Sequence, residues 1–139
     1  MMFSNIIRTD NSASTLLIRL MTGAVFLSEG IQKFLFSDKL GSGRFMKIGL
    51  PNPYFLAPFV GSFEIACGVL VLLGLLTRLA AIPLCIIILV AIATTKAQIL
   101  SENGFWSMLH DSRTDWAMVM GTIFLIIRGG GKWSMDKKL

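Results

Sequence analysis

Four long apolar runs most limit how this 139-residue chain can fold. A helix needs about 20 residues to cross the hydrocarbon core of a bilayer, and backbone polar groups in lipid must be satisfied internally. The runs do not alternate as the strands of a transmembrane barrel would. Only 15% of the residues are charged, against about 25% in soluble domains. We therefore predict an all-α fold, in which a single domain over 1–139 forms an up-down-up-down four-helix transmembrane bundle, with helices at about 16–36, 54–76, 79–100 and 112–128.

The connections between the runs indicate how the chain lies in a membrane. The fourth run is short, and the alternatives are an earlier start near Phe105 or a tilted helix beside longer neighbours. Thr77-Arg78 forms a tight turn, in which we expect Thr77 to cap the third helix. The first connection holds a short amphipathic stretch at 45–49 that suits the membrane interface.

Basic residues predict the orientation, because they favour the cytoplasmic side. Six lie on the side of both termini (Arg8, Arg78, Arg128, Lys132, Lys137 and Lys138) and four on the other (Lys39, Arg44, Lys47 and Arg113). We therefore predict a multi-pass protein of the cell (inner or plasma) membrane with both termini cytoplasmic. The N-terminal run is interrupted by charges and lacks a cleavage pattern, so we expect it to be retained. The net charge of +5 is assigned to lipid headgroups, and nucleic acid is not expected as a partner.

Two carboxylates, Glu29 and Glu64, lie inside apolar runs. A charge at the bilayer centre costs about 2.5–3.5 kcal/mol on insertion scales, so such residues are usually paired, face other helices and carry function. We therefore predict a role in ligand binding or proton handling for both. The alternative is a structural ion pair, since Glu29 and Lys33 have the i, i+4 spacing that favours one.

Glu64 lies on a stripe of small residues, Gly61 and Gly68 among them, that lets helices approach closely. Because its own helix offers no cation, its partner must come from another helix, a ligand or a proton. Lys96 and Asp115, at the ends of the third and fourth helices, complete the candidate binding or proton-handling set. Together these residues predict a polar recess that enters from the non-cytoplasmic face, with Glu64 at its floor.

Long basic side chains have a simpler alternative. Arg19, Lys33 and Lys96 lie near helix ends, from which such side chains can reach the headgroup region. For Lys33 and Lys96 this interpretation is favoured, and it also suffices for Arg19.

The remaining reactive residue types do not form a recognisable centre. Cys67 and Cys85 lie in different apolar runs and make no Cys-x-x-Cys pair, and His110 is the only histidine. We therefore expect no metal site, and the catalytic residues, if there are any, stay unknown.

The chain resembles the DoxX family of small four-helix membrane proteins over nearly all of its length. The resemblance rests on Glu29-Gly30 before Lys33-Phe34, on Gly49-Leu50-Pro51, on Thr77-Arg78 and on the tail from Gly129 to Asp136. It implies structural roles for Arg19, Gly30, Pro51, Gly68, Thr77 and Arg78. Glu29 departs from the family pattern, in which we expect a residue such as His or Asn more often.

The resemblance implies a redox association, since some relatives are subunits of a thiosulfate:quinone oxidoreductase or of oxidative-stress complexes. The first hypothesis is an accessory, quinone-linked membrane subunit with no intrinsic cofactor. A non-enzymatic scaffold or assembly factor for a membrane or peripheral protein partner is the second, and a small transporter or proton path is the third. Whether this chain is itself an enzyme is left open.

Overall fold

The described part of the chain is helical. The computed structural model describes residues 7–9 and 12–138, and no strand occurs among them. The helices are α1 (Thr15–Leu35), α2 (Ser42–Lys47), α3 (Pro53–Leu73), α4 (Thr77–Ala91), α5 (Ala97–Asn103), α6 (Phe105–Asp111), α7 (Arg113–Arg128) and α8 (Met135–Lys138), and a π-helical segment, Ile92–Lys96, joins α4 to α5. The predicted all-α class is confirmed.

Within the described residues, two helices are long and apolar enough to cross a membrane. These are Pro53–Leu73 and the continuous helix Thr77–Asn103, which contains α4, the π segment and α5. Helix α1 is as long as α3 but carries three charged residues, and α7 has only 16 residues. The four-span arrangement therefore stays a prediction. The outermost residues of the predicted cytoplasmic termini, 1–6 and 139, lie outside the described residues.

The turn between α3 and α4 shortens the second predicted helix. Gly74 adopts a left-handed conformation with φ of 72°, as does Leu76 with φ of 51°. Left-handed residues end α-helices because the backbone turns away from the helix axis. Helix α3 therefore ends at Leu73 rather than near residue 76.

The four long helices contact one another in a ring: α1 packs on α3, α3 on α4, α4 on α7, and α7 on α1. Glycines set the α1–α3 distance. A Cβ at Gly30 would lie 2.7 Å from the Gly61 carbonyl oxygen, and one at Gly23 would lie 3.0 Å from that of Gly68. Because the earlier glycine of α1 meets the later glycine of α3, the two helices are antiparallel and their backbones nearly touch.

Arg19 ties the end of α3 to the C-terminal tail. Its guanidinium is buried and donates four hydrogen bonds: to the carbonyl oxygens of Val71 (3.0 Å), Leu72 (2.6 Å), Gly130 (3.3 Å) and Trp133 (2.6 Å). The last carbonyls of a helix lack intrahelical partners, and Arg19 satisfies two of them. The prediction that Arg19 reaches the headgroups is therefore wrong.

The same tail caps α4. The carboxylate of Asp136 accepts the N–H groups of Leu76 (2.7 Å) and Thr77 (2.9 Å), the first unpaired donors of that helix. Thr77 was predicted to be the cap, but it is the first helical residue and makes no capping hydrogen bond. A carboxylate 59 residues away in sequence does this instead.

Candidate functional site

A cavity of about 570 Å³ opens between α1, α2, α3, the α4–π helix and α7. Most of its wall is apolar, from side chains such as Phe26, Phe45 and Ile87. All five candidate binding or proton-handling residues line it: Glu29, Lys33, Glu64, Lys96 and Asp115. We call this space the amphipathic cavity. Ligand sites usually have this composition, with a few polar groups in a mainly apolar wall of about 300–1,000 Å³.

Lys33 and Glu64 form an ion pair across the α1–α3 contact. Lys33 Nζ lies 2.7 Å from Glu64 Oε1, with side-chain exposures of 13% and 3%. The short distance and the burial of both side chains make this a charge-assisted contact inside the protein. Gly30 makes the pair possible, because a Cβ there would meet the Cβ of Glu64 at 3.0 Å.

This geometry corrects two expectations for α1. Lys33 is not directed to the headgroups but to a buried carboxylate of another helix. Nor does Lys33 contact Glu29, which is exposed at the edge of the amphipathic cavity. The i, i+4 spacing alone does not predict the Lys33–Glu64 pair, because that pair depends on the close glycine contact between two helices.

Lys96 forms a second ionic cluster at the end of the π segment. Its Nζ donates to Asp111 Oδ2 at 2.6 Å and lies 3.1 Å from Asp115 Oδ2. Lys96 is only 8% exposed, so the expectation that it reaches the headgroups is also wrong. The π turn widens the helix there, and such turns occur frequently at functional sites.

Sequence reasoning missed Asp111 and Arg44 as members of this region. Asp111 ends α6, and the hydrogen bond from Lys96 holds the pKa of its carboxyl below its usual value. Arg44 of α2 lines the amphipathic cavity. Asp111 and Asp115 are four residues apart, and this spacing could have indicated that both carboxylates lie on the same side of the chain.

The residues with predicted structural roles lie outside the amphipathic cavity. Gly30 and Gly68 form the α1–α3 contact, and Pro51 is exposed in the turn before α3. Arg78 donates through Nε to the carbonyl oxygen of Arg8 at 2.7 Å. Among the described residues, no group of three or more His, Cys, Asp or Glu is placed to hold a metal ion.

The chemistry available in the amphipathic cavity is therefore that of two ammonium groups, the Arg44 guanidinium and several carboxylates against an apolar wall. Ammonium groups donate hydrogen bonds to carbonyl or anionic oxygens. Electrostatic interactions are stronger in such an environment than in water. The arrangement suits a ligand with a flat apolar body and oxygen acceptors.

Comparison with known proteins gives a family and two relatives. The DoxX family model matches residues 14–97. The chain is 49% identical over 140 residues to "Uncharacterized membrane protein Rv3486" of Mycobacterium tuberculosis, covering 96% of this chain and 86% of that protein. It is 29% identical over 123 residues to "Putative oxidoreductase CatD" of Bacillus subtilis, covering 88% and 84%. No solved structure matches the chain significantly.

Proposed function

Because the chain belongs to the DoxX family of membrane proteins, we propose that it is an accessory, redox-associated subunit that binds a quinone. The observation that carries this proposal is the Lys33–Glu64 pair on the wall of the amphipathic cavity. A quinone combines a flat apolar ring with two carbonyl oxygens. Lys33 and Lys96 would donate hydrogen bonds to those oxygens, and the apolar wall would pack against the ring.

The proposal includes a membrane arrangement. We place α1, α3, the α4–α5 helix and α7 across the plasma membrane as a four-helix up-down-up-down bundle, with both termini cytoplasmic. Large apolar side chains are exposed on all four: Leu17 (68%), Phe55 (68%), Ile86 (57%) and Ile127 (64%). In water these side chains would be costly, whereas in a bilayer they face lipid.

The redox association rests on one relative, which is named an oxidoreductase at 29% identity. A quinone would supply the electron-transfer chemistry, and the protein would supply binding, orientation and electrostatics. The chain then needs a membrane or peripheral partner that exchanges electrons with the bound quinone. This is why we propose an accessory subunit rather than a complete enzyme.

Quinone retention tests the proposal. Wild type, Glu64→Gln and the matched control Glu102→Gln, an exposed glutamate outside the amphipathic cavity, are purified in native lipid discs. Quinone per protein is then measured after solvent extraction. We expect wild type and Glu102→Gln to exceed the ratio in protein-free discs, and Glu64→Gln to fall toward it. Wild type at the lipid background would overturn the proposal and favour a scaffold role.

A further inference from the structure

The amphipathic cavity has an apolar edge between α3 and α4. Phe59 of α3 and Ile86 and Val90 of α4 line it, yet they are 48%, 57% and 48% exposed. A side chain that lines a cavity and is also exposed at the outer surface marks an opening. This opening is bordered by hydrocarbon side chains.

Phe59 and Val90 lie at similar heights on neighbouring helices, and Ile86 lies about one turn nearer the connection between them. Helices α3 and α4 are joined by the tight turn at 74–76. At 1.5 Å per residue, Phe59 and Val90 each lie about 20 Å along their helices from this turn. The opening therefore lies between the two helices, about 14–20 Å from their connection.

The exposed polar lining residues lie elsewhere. Glu29, Arg44 and Thr114 belong to α1, α2 and α7. In the ring of helix contacts, the α3–α4 edge is opposite the α1–α7 edge. Glu29 and Thr114 thus lie on the helices of the opposite edge, and Arg44 lies on α2, which packs on α3. The opening itself is bordered by hydrocarbon side chains.

We propose that the gap bordered by Phe59, Ile86 and Val90 is a lateral portal through which the ligand's long apolar tail passes from the amphipathic cavity into the bilayer. The ligand class is therefore an amphiphile with a long hydrocarbon or isoprenoid tail that enters from the membrane. This inference rests on the proposed quinone function for the identity of the head. A tail left in lipid keeps its hydrocarbon surface out of water, which is favourable.

The portal can be narrowed without touching the ionic clusters. Ile86→Trp and Val90→Trp place a large ring in the gap. Ile82→Trp is the matched control, because Ile82 is an exposed residue of α4 that does not line the cavity. The probes are benzoquinone and naphthoquinone rings, each with and without an isoprenoid tail, and their affinities are measured in lipid discs.

We expect wild type to bind a tailed quinone more tightly than its tailless ring. Ile86→Trp and Val90→Trp should lower the affinity for the tailed quinone by about tenfold or more, equivalent to about 1.4 kcal/mol. Their affinity for the tailless ring should stay near that of wild type. Ile82→Trp should bind both probes as wild type does. Equal effects on tailed and tailless probes, or equal effects of all three tryptophans, would overturn the portal and leave quinone binding standing. If wild type binds neither probe of either ring class, the proposed function itself fails.

Discussion

Lys33 Nζ lies 2.7 Å from Glu64 Oε1, although the two residues belong to different helices. The close glycine contact between α1 and α3 brings the pair together, and both residues line the amphipathic cavity. One contact thus links the packing of the helices to the proposed binding function.

Loss of one partner of this pair should destabilise the protein. Lys33→Met leaves Glu64 as a buried carboxylate without its cation, so we expect the free energy of unfolding to fall by about 3 kcal/mol. The double variant Lys33→Met/Glu64→Leu should recover most of that loss. Detergent-micelle unfolding measures both, and Lys39→Met, at an exposed lysine of the first connection, is the control. Additive losses in the double variant would show that the two charges do not interact.

Enlarging Gly30 should separate α1 from α3. In Gly30→Leu the new side chain meets the Gly61 carbonyl oxygen and Ile65, and overpacking of this kind costs about 1–3 kcal/mol. Ala24→Leu adds a bulky side chain on an exposed face of the same helix and should be nearly neutral. The thermal unfolding midpoints of the two variants are compared. An unchanged midpoint in Gly30→Leu would contradict the close contact between α1 and α3.

The tail should depend on the guanidinium of Arg19 rather than on its charge. Arg19→Lys supplies three donors on one nitrogen and cannot span four carbonyls, so we expect the free energy of unfolding to fall by about 2 kcal/mol or more.

Asp136→Ala should lower the free energy of unfolding by about 1–2 kcal/mol, because α4 loses its cap. Limited proteolysis of the tail and thermal unfolding measure these effects, with the exposed Lys132→Met as control. If the tail of Arg19→Lys were cleaved at the wild-type rate and the variant unfolded at the wild-type temperature, the guanidinium would not be needed to hold the tail.

Acid should weaken the Lys96 cluster. Because the folded-state pKa of Asp111 is lowered, its contribution is present above the unfolded-state pKa of about 3.9 and is lost as pH falls through the lower folded value. The contribution is at most about 1 kcal/mol, since the carboxylate is half exposed. Thermal midpoints between neutral pH and about pH 3 should therefore fall less in Asp111→Asn than in wild type. If the thermal midpoints of Asp111→Asn and wild type fell equally with pH, the proposed contribution of the Asp111 carboxylate would be contradicted.

The sequence predicted the helical class and the residue types of the site because both depend on local patterns. Apolar runs and the small-residue stripe of α3 indicate helices and a close contact. One cavity is lined by Glu29, Lys33, Glu64, Lys96 and Asp115. The membrane face from which it opens and the roles of these residues stay predictions.

The partners of the charged residues could not be predicted in the same way. Lys33 has a carboxylate one turn away on its own helix, yet it contacts Glu64, because only the three-dimensional glycine contact decides which carboxylate is nearer. The acceptors of Arg19 lie 52 to 114 residues away in sequence. Long basic side chains near helix ends are therefore expected to reach the headgroups, whereas the structure gives each a partner within the protein: backbone carbonyls for Arg19, Glu64 for Lys33, and Asp111 with Asp115 for Lys96.

Photoaffinity mapping tests the central claim, that the amphipathic cavity binds a quinone head beside Lys33 and Glu64, most directly. An azido-substituted isoprenoid quinone is activated in lipid discs, and the labelled residues are identified by peptide mass spectrometry. We expect labels on cavity-lining residues of α3 and α4, removed by excess unlabelled quinone and reduced in Glu64→Gln. Labels spread over lipid-facing side chains such as Leu17 and Ile127, unchanged by competitor or by Glu64→Gln, would contradict the account.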